Sequence, residues 1–348
     1  MTAKLSDIAA TVGVSASTVS RALSGRMGGN PHLVERITRV AEELGYPLDR
    51  YSAALARSRL LGVVVPNIAS PFFSRLIECI EQAASHHGFN LLLCNSAYDL
   101  QIESDSLEIL ADKEVAGILI SPVSTDSSLP GAVTHRRLPV VQVDRSSDRI
   151  QRDLVQTDSF QGSLTAVQLL LNRGYRRIAI ISGPSSHSTG RERLAGYAAA
   201  LRAASVTPDD SHIKIVGFRE EAGYIAATDL LNLPARPDAL FVTNVDMTIG
   251  ALRAVYESGA KVPEELGIVA FDEFPFARIV VPPLTTIEQP IEMLASTAVD
   301  LLMRRIEQRT NAEPTTIRLL PKTNLRASVR PVTEARENLA DDSVLQPA

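Results

Sequence analysis

Near the start of the chain, a run of small hydroxyl-bearing residues precedes an arginine, within Leu5–Gly25, LSDIAATVGVSASTVSRALSG. Hydroxyl groups at the first turn of a helix bind phosphate, and an arginine one turn further on binds guanine O6 and N7. The residues concerned are Ser15, Ala16, Ser17, Thr18, Ser20 and Arg21. Because most of these side chains are small, the backbone can approach base edges closely. The chemistry that this spacing suggests is DNA recognition.

Two short helical patterns position these residues. The first ends at Gly13, a typical stop, and Ser15 caps the second, which runs to about Leu23. The predicted buried face comprises Ile8, Ala9, Val14 and Val19. This arrangement is a helix-turn-helix, whose second helix enters the major groove. An ordinary helical hairpin with solvated Ser and Arg side chains has the same spacing, so spacing alone leaves both interpretations open.

A third helix is predicted after the glycine-rich segment SGRMGGN. Asn30 caps it, and Pro31 takes its first position, where proline is well tolerated. Its apolar face is predicted to contain Ile37, Val40, Ala41 and Leu44. Residues 45–47, Gly-Tyr-Pro, end the helix. The polar, alanine-rich residues 48–60 then form a linker that is too short to be a stable helix alone.

Charge is distributed unevenly along the chain. Residues 1–59 carry eight Lys and Arg against five Asp and Glu, a net charge of +3, whereas the whole chain has a net charge of −5. The remaining residues therefore carry −8. A basic head on an acidic body is typical of a module that binds a polyanion.

From Leu61 onward, short β-branched runs alternate with longer amphipathic stretches. The predicted strands are GVVVP, NLLLC, AGILIS, PVVQV, RIAIIS, HIKIVGF, ALFVT, GIVAF, LTTI and IRLLP. The predicted helices lie near 72–87, 100–112, 160–173, 190–203, 222–232, 246–258 and 290–306. Such alternation indicates parallel sheets with helices on both faces, and about ten strands suit two doubly wound lobes.

Several classes of protein find no support in the sequence. No apolar run reaches the roughly 18 residues of a membrane helix, and the first residues show no signal-peptide core, so we expect a cytoplasmic protein without a membrane partner. Cys79 and Cys94 form no metal-binding spacing, so no metal is expected. The chain has no GxGxxG after its first strand, no P-loop and no GxSxG, which favours a protein that is not an enzyme and needs no cofactor.

The stretch LSDIAATVGVSASTVSRAL resembles the head of the LacI/GalR family of bacterial transcription regulators. Further segments resemble the family in the same order: LGYP, GVVVPNIASPFF, LLLCNS, VAGILISP, PVVQVDR, GYRRIAIISGP, GRERLAGY, MTIGALRAV and VPPLTTIEQP. The resemblance covers roughly residues 4–330. So many motifs in one order favour DNA binding over an ordinary hairpin.

The resemblance implies an N-terminal all-α helix-turn-helix DNA-binding head and an α/β body of two Rossmann-like lobes, as in periplasmic sugar-binding proteins. The predicted domains are a head at 1–47, a hinge helix or linker at 48–60 and an effector-binding body at 61–330. Within the body, lobe one is predicted at 61–159 and 290–318, and lobe two at 160–289 and 319–330. Residues 331–348 have no apolar period and are predicted to be a disordered tail.

The resemblance also implies a ligand in the cleft between the lobes, and open α/β sheets bind ligands at the carboxyl ends of their strands. The candidates that follow predicted strands are Ser70, Phe72, Phe73, Asn95, Asp144, Arg145 and Asp272. Similarity to the family adds Arg193, Phe218, Asn244 and Gln289. Aromatic faces stack on sugars, while carboxylates, amides and guanidinium groups bind hydroxyls or acidic groups. We therefore expect a sugar or a sugar-derived acid as the effector.

Two departures from the family pattern affect these expectations. Val245 stands where the family commonly has Asp, beside a retained Asn244. In the hinge, the family has a leucine that wedges into the minor groove. Counting from Tyr46 places Leu55 at this position, whereas aligning the family hinge on Ala56-Arg57-Ser58 places Arg59 there. Leu55 is favoured, because an apolar side chain can unstack a base step without stranding a charge.

The sequence as a whole predicts a homodimeric repressor that binds a pseudo-palindromic double-stranded DNA operator. One helix-turn-helix reads a half-site weakly, and two-fold symmetry matches two half-sites. The small-molecule effector would change the spacing of the hinges and so the affinity for DNA. The alternatives are a periplasmic-type small-molecule binding protein, which would need a signal peptide and no head, and an enzyme acting in the cleft.

Overall fold

The computed structural model describes residues 3–23, 31–46, 58–308 and 313–331. Contacts divide the chain into two compact units. Unit 1 comprises Met1–Gln156, Ser186–Ser188 and Ile291–Leu319, and unit 2 comprises Thr157–Ser185, Thr189–Pro290 and Leu320–Ala348.

Three helices form the N-terminal part of unit 1: α1 (Leu5–Val12), α2 (Ala16–Leu23) and α3 (Pro31–Glu43). Gly13 ends α1 with a φ of 75°, a left-handed conformation that favours glycine. The three helices enclose a small apolar core in which Ile8, Val19 and Ile37 are fully buried. The helix-turn-helix that the spacing predicts is therefore present.

The rest of unit 1 is built around a six-stranded sheet with the order β11-β5-β4-β3-β1-β2. Its elements are β1 (Leu60–Val65), α4 (Pro71–His86), β2 (Asn90–Asn95), α5 (Leu100–Asp112), β3 (Gly117–Ile120), α6 (Gly131–His135), β4 (Val140–Val143), β5 (Asp153–Thr157), α11 (Ile291–Gln308) and β11 (Thr316–Leu319). Strands β1 to β5 pair in parallel. Apolar residues of β1, β3, β4 and α5 form the core on one face.

Unit 2 repeats this plan with the order β12-β10-β9-β8-β6-β7. Its elements are α7 (Ser159–Asn172), β6 (Ile178–Ser182), α8 (Ser188–Ala203), β7 (Ile213–Ile215), α9 (Glu220–Leu231), β8 (Ala239–Val242), α10 (Val245–Ser258), β9 (Gly267–Phe271), β10 (Thr285–Glu288) and β12 (Lys322–Asn324). Strands β6 to β10 pair in parallel, and β12 runs antiparallel to β10. Tyr175, Tyr197, Phe241 and Phe271 are the large side chains of its core.

In each sheet the strand order reverses once, between β1 and β3 in unit 1 and between β6 and β8 in unit 2. Loops leave opposite faces of a sheet at such a point, and the crevice at the carboxyl ends of the strands is where open α/β sheets bind ligands. The doubly wound α/β architecture predicted from the sequence is confirmed.

Several elements and element boundaries differ from the prediction. The sequence did not predict β5, β12 or the short helix α6, and the predicted strand HIKIVGF contains only the three-residue β7. β1 begins at Leu60, a residue that the prediction assigns to the linker. Leu44 lies beyond the end of α3 and is 40% exposed, so it does not belong to the apolar face of that helix.

β5 was not predicted because it is buried although it contains polar residues, whereas the predicted strands were recognised as apolar runs. Asp153 begins the strand and is almost fully buried. Its carboxylate accepts hydrogen bonds from Arg305 Nε and Nη2 at 2.6 and 2.7 Å and from the Thr315 backbone at 2.8 Å. A buried carboxylate is tolerated when it is paired in this way, and such pairing is not visible in the local sequence pattern.

Candidate functional site

One face of α2 is apolar and buried, and the other is polar and exposed. Val19 and Ala22 pack into the core of the head. Ser17, Ser20 and Arg21 are exposed on the opposite side. An exposed Ser and Arg face on the second helix of a helix-turn-helix has the residue types that contact phosphates and base edges.

Hydroxyl groups gather at the N-terminus of α2. Ser15 Oγ accepts a hydrogen bond from the Thr18 backbone at 3.1 Å, as the predicted cap requires. It also lies 2.8 Å from Ser17 Oγ and 2.7 Å from Thr18 Oγ1. Because a helix N-terminus carries partial positive charge, this group of hydroxyls suits an approaching phosphate.

The hinge residues that the sequence assigns to the minor groove lie outside the described residues. Leu55 is one of them. The predicted cap Asn30 and the predicted tail beyond Pro331 also lie outside the described residues. The alternative wedge residue, Arg59, is described. Its guanidinium carbon lies 5.4 Å from the centre of the Phe89 ring.

In unit 2, Arg193 lies on α8 with only 4% of its surface exposed. The guanidinium carbon lies 3.8 Å from the centre of the Phe271 ring, a cation–π contact. Arg193 Nη1 donates to the Thr243 carbonyl oxygen, and Nε donates to Ser159 Oγ at 3.3 Å. The cation is thereby fixed at the carboxyl ends of β8 and β9.

Asp272 is buried directly after β9, with a left-handed φ of 83°. Its Oδ1 accepts a hydrogen bond from Gln289 Nε2 at 2.7 Å. Burial raises the pKa of the Asp272 carboxyl, and the Arg193 charge, the Gln289 amide and the Val245 backbone N–H oppose that rise. Arg193, Asp272 and Gln289, all predicted from the sequence, therefore form one cluster.

Asn244 caps α10. Its Oδ1 accepts a hydrogen bond from the Met247 backbone at 3.0 Å. Val245, which replaces the Asp common in the family, is fully buried and donates its backbone N–H to Asp272. The substitution therefore removes a side-chain carboxylate while the backbone contact to Asp272 is present.

Phe218 packs directly on the backbone of Gly183, just past β6. A Cβ atom at Gly183 would lie 2.1 Å from the Phe218 ring. Only glycine lets the ring approach so closely, and the ring itself is buried.

Gly183→Ala is therefore expected to displace Phe218 and to lower stability by about 1–3 kcal/mol through overpacking. In Gly183→Ala we expect the affinity for the predicted small-molecule effector to fall together with the melting temperature. Gly217→Ala is the matched control, because a Cβ at Gly217, beside Phe218 in sequence, would meet nothing within 4 Å. Equal behaviour of the two variants in calorimetric titration and thermal unfolding would show that the ring position is unimportant.

Buried polar atoms line the carboxyl edge of the unit 2 sheet. Ser182 ends β6, Thr243 follows β8 and Gln289 follows β10. Ser182 Oγ, Thr243 Oγ1 and Gln289 Oε1 are all buried and make no hydrogen bond to any described residue. Buried polar atoms are normally hydrogen-bonded, so this edge has unused capacity for a polar ligand. Ser182 and Thr243 were not predicted as site residues, although each is the polar end of a predicted strand.

In unit 1, the candidates after β1 and β2 have different surroundings. Ser70 precedes α4 and is buried, as are Phe72 and Phe73 in its first turn, whose rings lie edge to face at 5.1 Å. Asn95 ends β2 and is exposed, and its Oδ1 accepts a hydrogen bond from the Ile68 backbone at 3.3 Å. Asn95 thus supports the loop that carries Ser70.

Asp144 and Arg145 follow β4 and are both buried. Asp144 has a left-handed φ of 68°, and its Oδ2 lies 3.5 Å from Arg145 Nε. The Arg145 guanidinium carbon lies 5.4 Å from the Phe73 ring centre and 5.5 Å from the Tyr98 ring centre. Tyr98 was not predicted from the sequence, because no local pattern marks a tyrosine as the neighbour of an arginine 47 positions away.

Next to Asp272, Glu273 is the centre of a polar network. Arg326 Nη2 and Nη1 donate to its carboxylate at 2.7 and 3.0 Å, and Arg278 Nε donates at 3.0 Å. Thr286 Oγ1 also donates to it. Burial by itself would raise the pKa of Glu273, but these hydrogen bonds outweigh burial and lower it to about 2.

Glu273→Gln is therefore expected to lower the free energy of unfolding at pH 7 by about 2–3 kcal/mol. The folded pKa lies below the ordinary value of 4.5, so the ionised carboxylate stabilises the fold above pH 4.5. That contribution is lost as the pH falls from 4.5 toward about 2. Chemical denaturation should show the gap between wild type and variant closing over this range. Glu292→Gln is the control, since its exposed pair with Arg75 contributes little. A gap that is independent of pH would contradict the assignment.

Within the described residues, no helix is both long and apolar enough to cross a membrane. The same part of the chain has no group of three or more His, Cys, Asp or Glu placed to hold a metal ion.

Comparison with known proteins identifies both parts of the chain. Residues 4–47 match the family model of bacterial regulatory proteins of the lacI family. Residues 58–326 match the model of periplasmic binding proteins and the sugar binding domain of the LacI family.

Individual relatives agree with these matches. The HTH-type transcriptional repressor PurR of Edwardsiella ictaluri (strain 93-146) is 33% identical over 94% of this chain and 97% of its own. The ribose operon repressor of Escherichia coli (strain K12) is 32% identical over 88% of this chain and 94% of its own. Among solved structures, the transcriptional regulator CelR in complex with cellobiose is 31% identical with a TM-score of 0.72, covering 94% of this chain and 99% of that one.

These matches span the head and the body, and they confirm the resemblance and the function inferred from the sequence motifs. The relatives are transcriptional regulators, and the head match is to their DNA-binding part. The chain belongs to the LacI family of bacterial regulatory proteins.

Proposed function

We propose that α2 reads an operator half-site through Arg21 and through the hydroxyl groups at its N-terminus. The exposed face of α2 supports this assignment, as does the position of Ser15, Ser17 and Thr18 at the positive end of the helix. Phosphate contacts would orient the helix, and Arg21 would contact a guanine edge.

The chain is proposed to act as a homodimeric repressor on a pseudo-palindromic operator. A head of this size contacts one half-site, and a two-fold dimer doubles the number of contacts. Two of the relatives named above, PurR and the ribose operon repressor, are repressors, which supports the sign of regulation. Because the target is chromosomal DNA, the cytoplasm is the proposed compartment, and the homologous regulators support a role other than catalysis.

The proposed effector is an uncharged sugar. The observation that carries this proposal is the row of buried polar atoms, Ser182 Oγ, Thr243 Oγ1 and Gln289 Oε1, at the carboxyl edge of the unit 2 sheet. Neighbouring hydroxyl groups of a sugar would supply donors and acceptors to these polar atoms. Aromatic side chains such as Phe218 would cover the apolar faces of the sugar ring. The relatives named for ribose and cellobiose support the same class.

Charge balance favours a neutral sugar over a sugar-derived acid. In unit 2 the Arg193 cation already faces the Asp272 carboxylate. In unit 1 the Arg145 cation lies beside Asp144 and attracts Glu103. Both arginines, Arg193 and Arg145, therefore already have a carboxylate beside them. A carboxylate on the ligand would have to share one of these cations, and burying an unpaired charge is costly. That one ligand contacts the predicted residues of both units stays a prediction.

Thermal unfolding of the full chain with matched neutral and acidic sugars tests this proposal. D-ribose and cellobiose are compared with D-ribonate and cellobionate at equal concentration. We expect stabilisation by at least one neutral sugar and none by its acid, since only a ligand that binds the native state raises the melting temperature. Stabilisation by an acid alone would overturn the charge argument. Chemical alteration of the bound sugar by the pure protein would favour an enzyme instead.

A further inference from the structure

The turn after β2 holds Tyr98 in an unusual backbone conformation. Ala97 and Tyr98 have φ values of 51° and 62°, in the left-handed region that side-chain-bearing residues rarely adopt. Non-glycine residues held there often lie at functional sites, which makes this turn a candidate for a role beyond connecting two elements.

Both ends of this turn are fixed. The Ser96 backbone N–H donates to the Val65 carbonyl at 2.9 Å, which ties the turn to β1. Asp99 caps α5, its Oδ1 accepting from the Gln101 and Ile102 backbones at 2.7 and 3.0 Å. The backbone of the turn is therefore held at both ends, which restricts where the Tyr98 side chain can lie.

The Tyr98 ring is the second aromatic contact of the Arg145 guanidinium. The two ring-centre distances, 5.4 Å to Phe73 and 5.5 Å to Tyr98, are within the range at which a cation is attracted to a ring. Phe73 comes from α4 and Tyr98 from the turn before α5. Two separate elements thus restrict the position of one buried cation.

Two carboxylates also lie near Arg145. Asp144 lies beside it, and Glu103 on α5 is near enough to interact with its charge. Glu103 is itself held in place, because its Oε2 accepts the Val123 backbone N–H at 2.7 Å and its carboxylate accepts a hydrogen bond from Ser127. Residues that follow β1, β2 and β4 therefore lie around this guanidinium at the carboxyl edge of the sheet, and residues that follow β3 hold Glu103 in place.

We propose that Tyr98 is a positioning residue for the effector: its ring holds the Arg145 guanidinium in one orientation against Phe73. A donor group that is already ordered loses less freedom when a ligand binds, so the ring raises affinity without contributing a hydrogen bond. The proposal rests on the proposed function, in which Arg145 belongs to the sugar-binding set. It assigns the effect to the aromatic ring and not to the phenol hydroxyl.

The test uses three variants of the full chain. Tyr98→Asn removes the ring, and asparagine tolerates left-handed φ values, so the turn is preserved. Tyr98→Phe keeps the ring and removes the hydroxyl. Tyr256→Asn is the control, because Tyr256 is 88% exposed on α10 in unit 2. The probe is whichever of D-ribose and cellobiose binds the wild type more tightly in calorimetric titration.

Loss of the ring is expected to weaken sugar affinity roughly 3- to 12-fold, the range for a side chain that must otherwise be ordered when the ligand binds. Tyr98→Phe should stay within about twofold of the wild type, because a phenyl ring also binds cations. Operator affinity without sugar should be unchanged in all variants. Equal affinities of Tyr98→Asn and Tyr256→Asn for the sugar would overturn the proposal.

A double-mutant cycle with Arg145→Ala separates positioning from general stabilisation. If Tyr98 acts through Arg145, then Tyr98→Asn should change sugar affinity less than about twofold in the Arg145→Ala background. Additive losses would contradict the proposal. A wild type that binds the operator but neither sugar would instead refute the proposed sugar class, and the assignment of Tyr98 with it.

A spectroscopic measurement adds an independent check. The chain has seven Tyr and no Trp, so its near-ultraviolet absorbance reports mainly on tyrosines. Sugar binding should perturb the tyrosine spectrum of the wild type, and Tyr98→Phe should lose most of that perturbation while keeping its affinity. An undiminished perturbation in Tyr98→Phe would place the reporting tyrosine elsewhere and count against the proposal.

Discussion

Replacing Arg193 by alanine is expected to abolish the response to the effector while operator recognition persists. The side chain is buried, stacks on Phe271 and donates hydrogen bonds to Thr243 and Ser159. Its removal leaves the Asp272 carboxylate buried without its cation. Removing one partner of a buried charged pair costs the fold about 3–5 kcal/mol. Separately, losing a charged hydrogen-bond donor to the sugar is expected to lower sugar affinity by about 10- to 150-fold.

Arg202→Ala is the matched control for Arg193→Ala, because Arg202 is exposed on the last turn of the same helix, α8. The measurement is operator affinity by fluorescence anisotropy at increasing sugar concentration, for wild type and both variants. We expect a response in wild type and Arg202→Ala only. Since Arg193 also supports the fold, the melting temperature is recorded in parallel. A normal sugar response in a folded Arg193→Ala protein would remove this residue from the site.

Replacing Arg21 by alanine is expected to weaken specific operator binding and to leave sugar binding unchanged. A bidentate contact from arginine to guanine contributes about 1–3 kcal/mol of discrimination. A two-fold dimer makes the contact twice, so the loss for the whole operator is expected to be roughly 30-fold or more. Arg21 is exposed on α2, so stability should change little.

Arg39→Ala controls for the removal of one positive charge from the head. Arg39 is exposed on α3, and its contact with Glu43 at 3.8 Å lies at the surface. Both variants are compared on the operator and on unrelated DNA at fixed salt, because the charge contribution depends steeply on salt. Arg21→Ala should lose discrimination between the two DNAs, whereas Arg39→Ala should keep it. Equal discrimination in both variants would show that Arg21 does not read bases.

The elements that could be predicted are those determined by local chemistry. Gly13 ends α1 and Ser15 caps α2 because backbone geometry and capping are encoded within a few residues. The parallel strands were found because buried strands are runs of apolar residues. In contrast, β5 was missed because Asp153 is stabilised by Arg305, 152 positions away.

The candidate site was predicted only in part, for a related reason. Asp272, Gln289 and Arg193 were predicted through the ends of strands and through similarity to the family, and the structure brings these three side chains together. Ser182 and Thr243 were missed because a single hydroxyl at the end of a strand is common. Tyr98 depends on a left-handed turn and a distant arginine, neither of which has a local sequence pattern.

The most direct test of the central claim, a DNA-binding regulator controlled by a sugar, is one operator titration. Genomic DNA retained by the pure protein at fixed salt is sequenced to obtain the operator, and its affinity is then measured with and without the sugars above. We expect a pseudo-palindromic site whose affinity changes at least about fivefold with one neutral sugar, the lower end of ordinary allosteric coupling. Recovery of no enriched site, or an affinity that no sugar changes, would contradict the account.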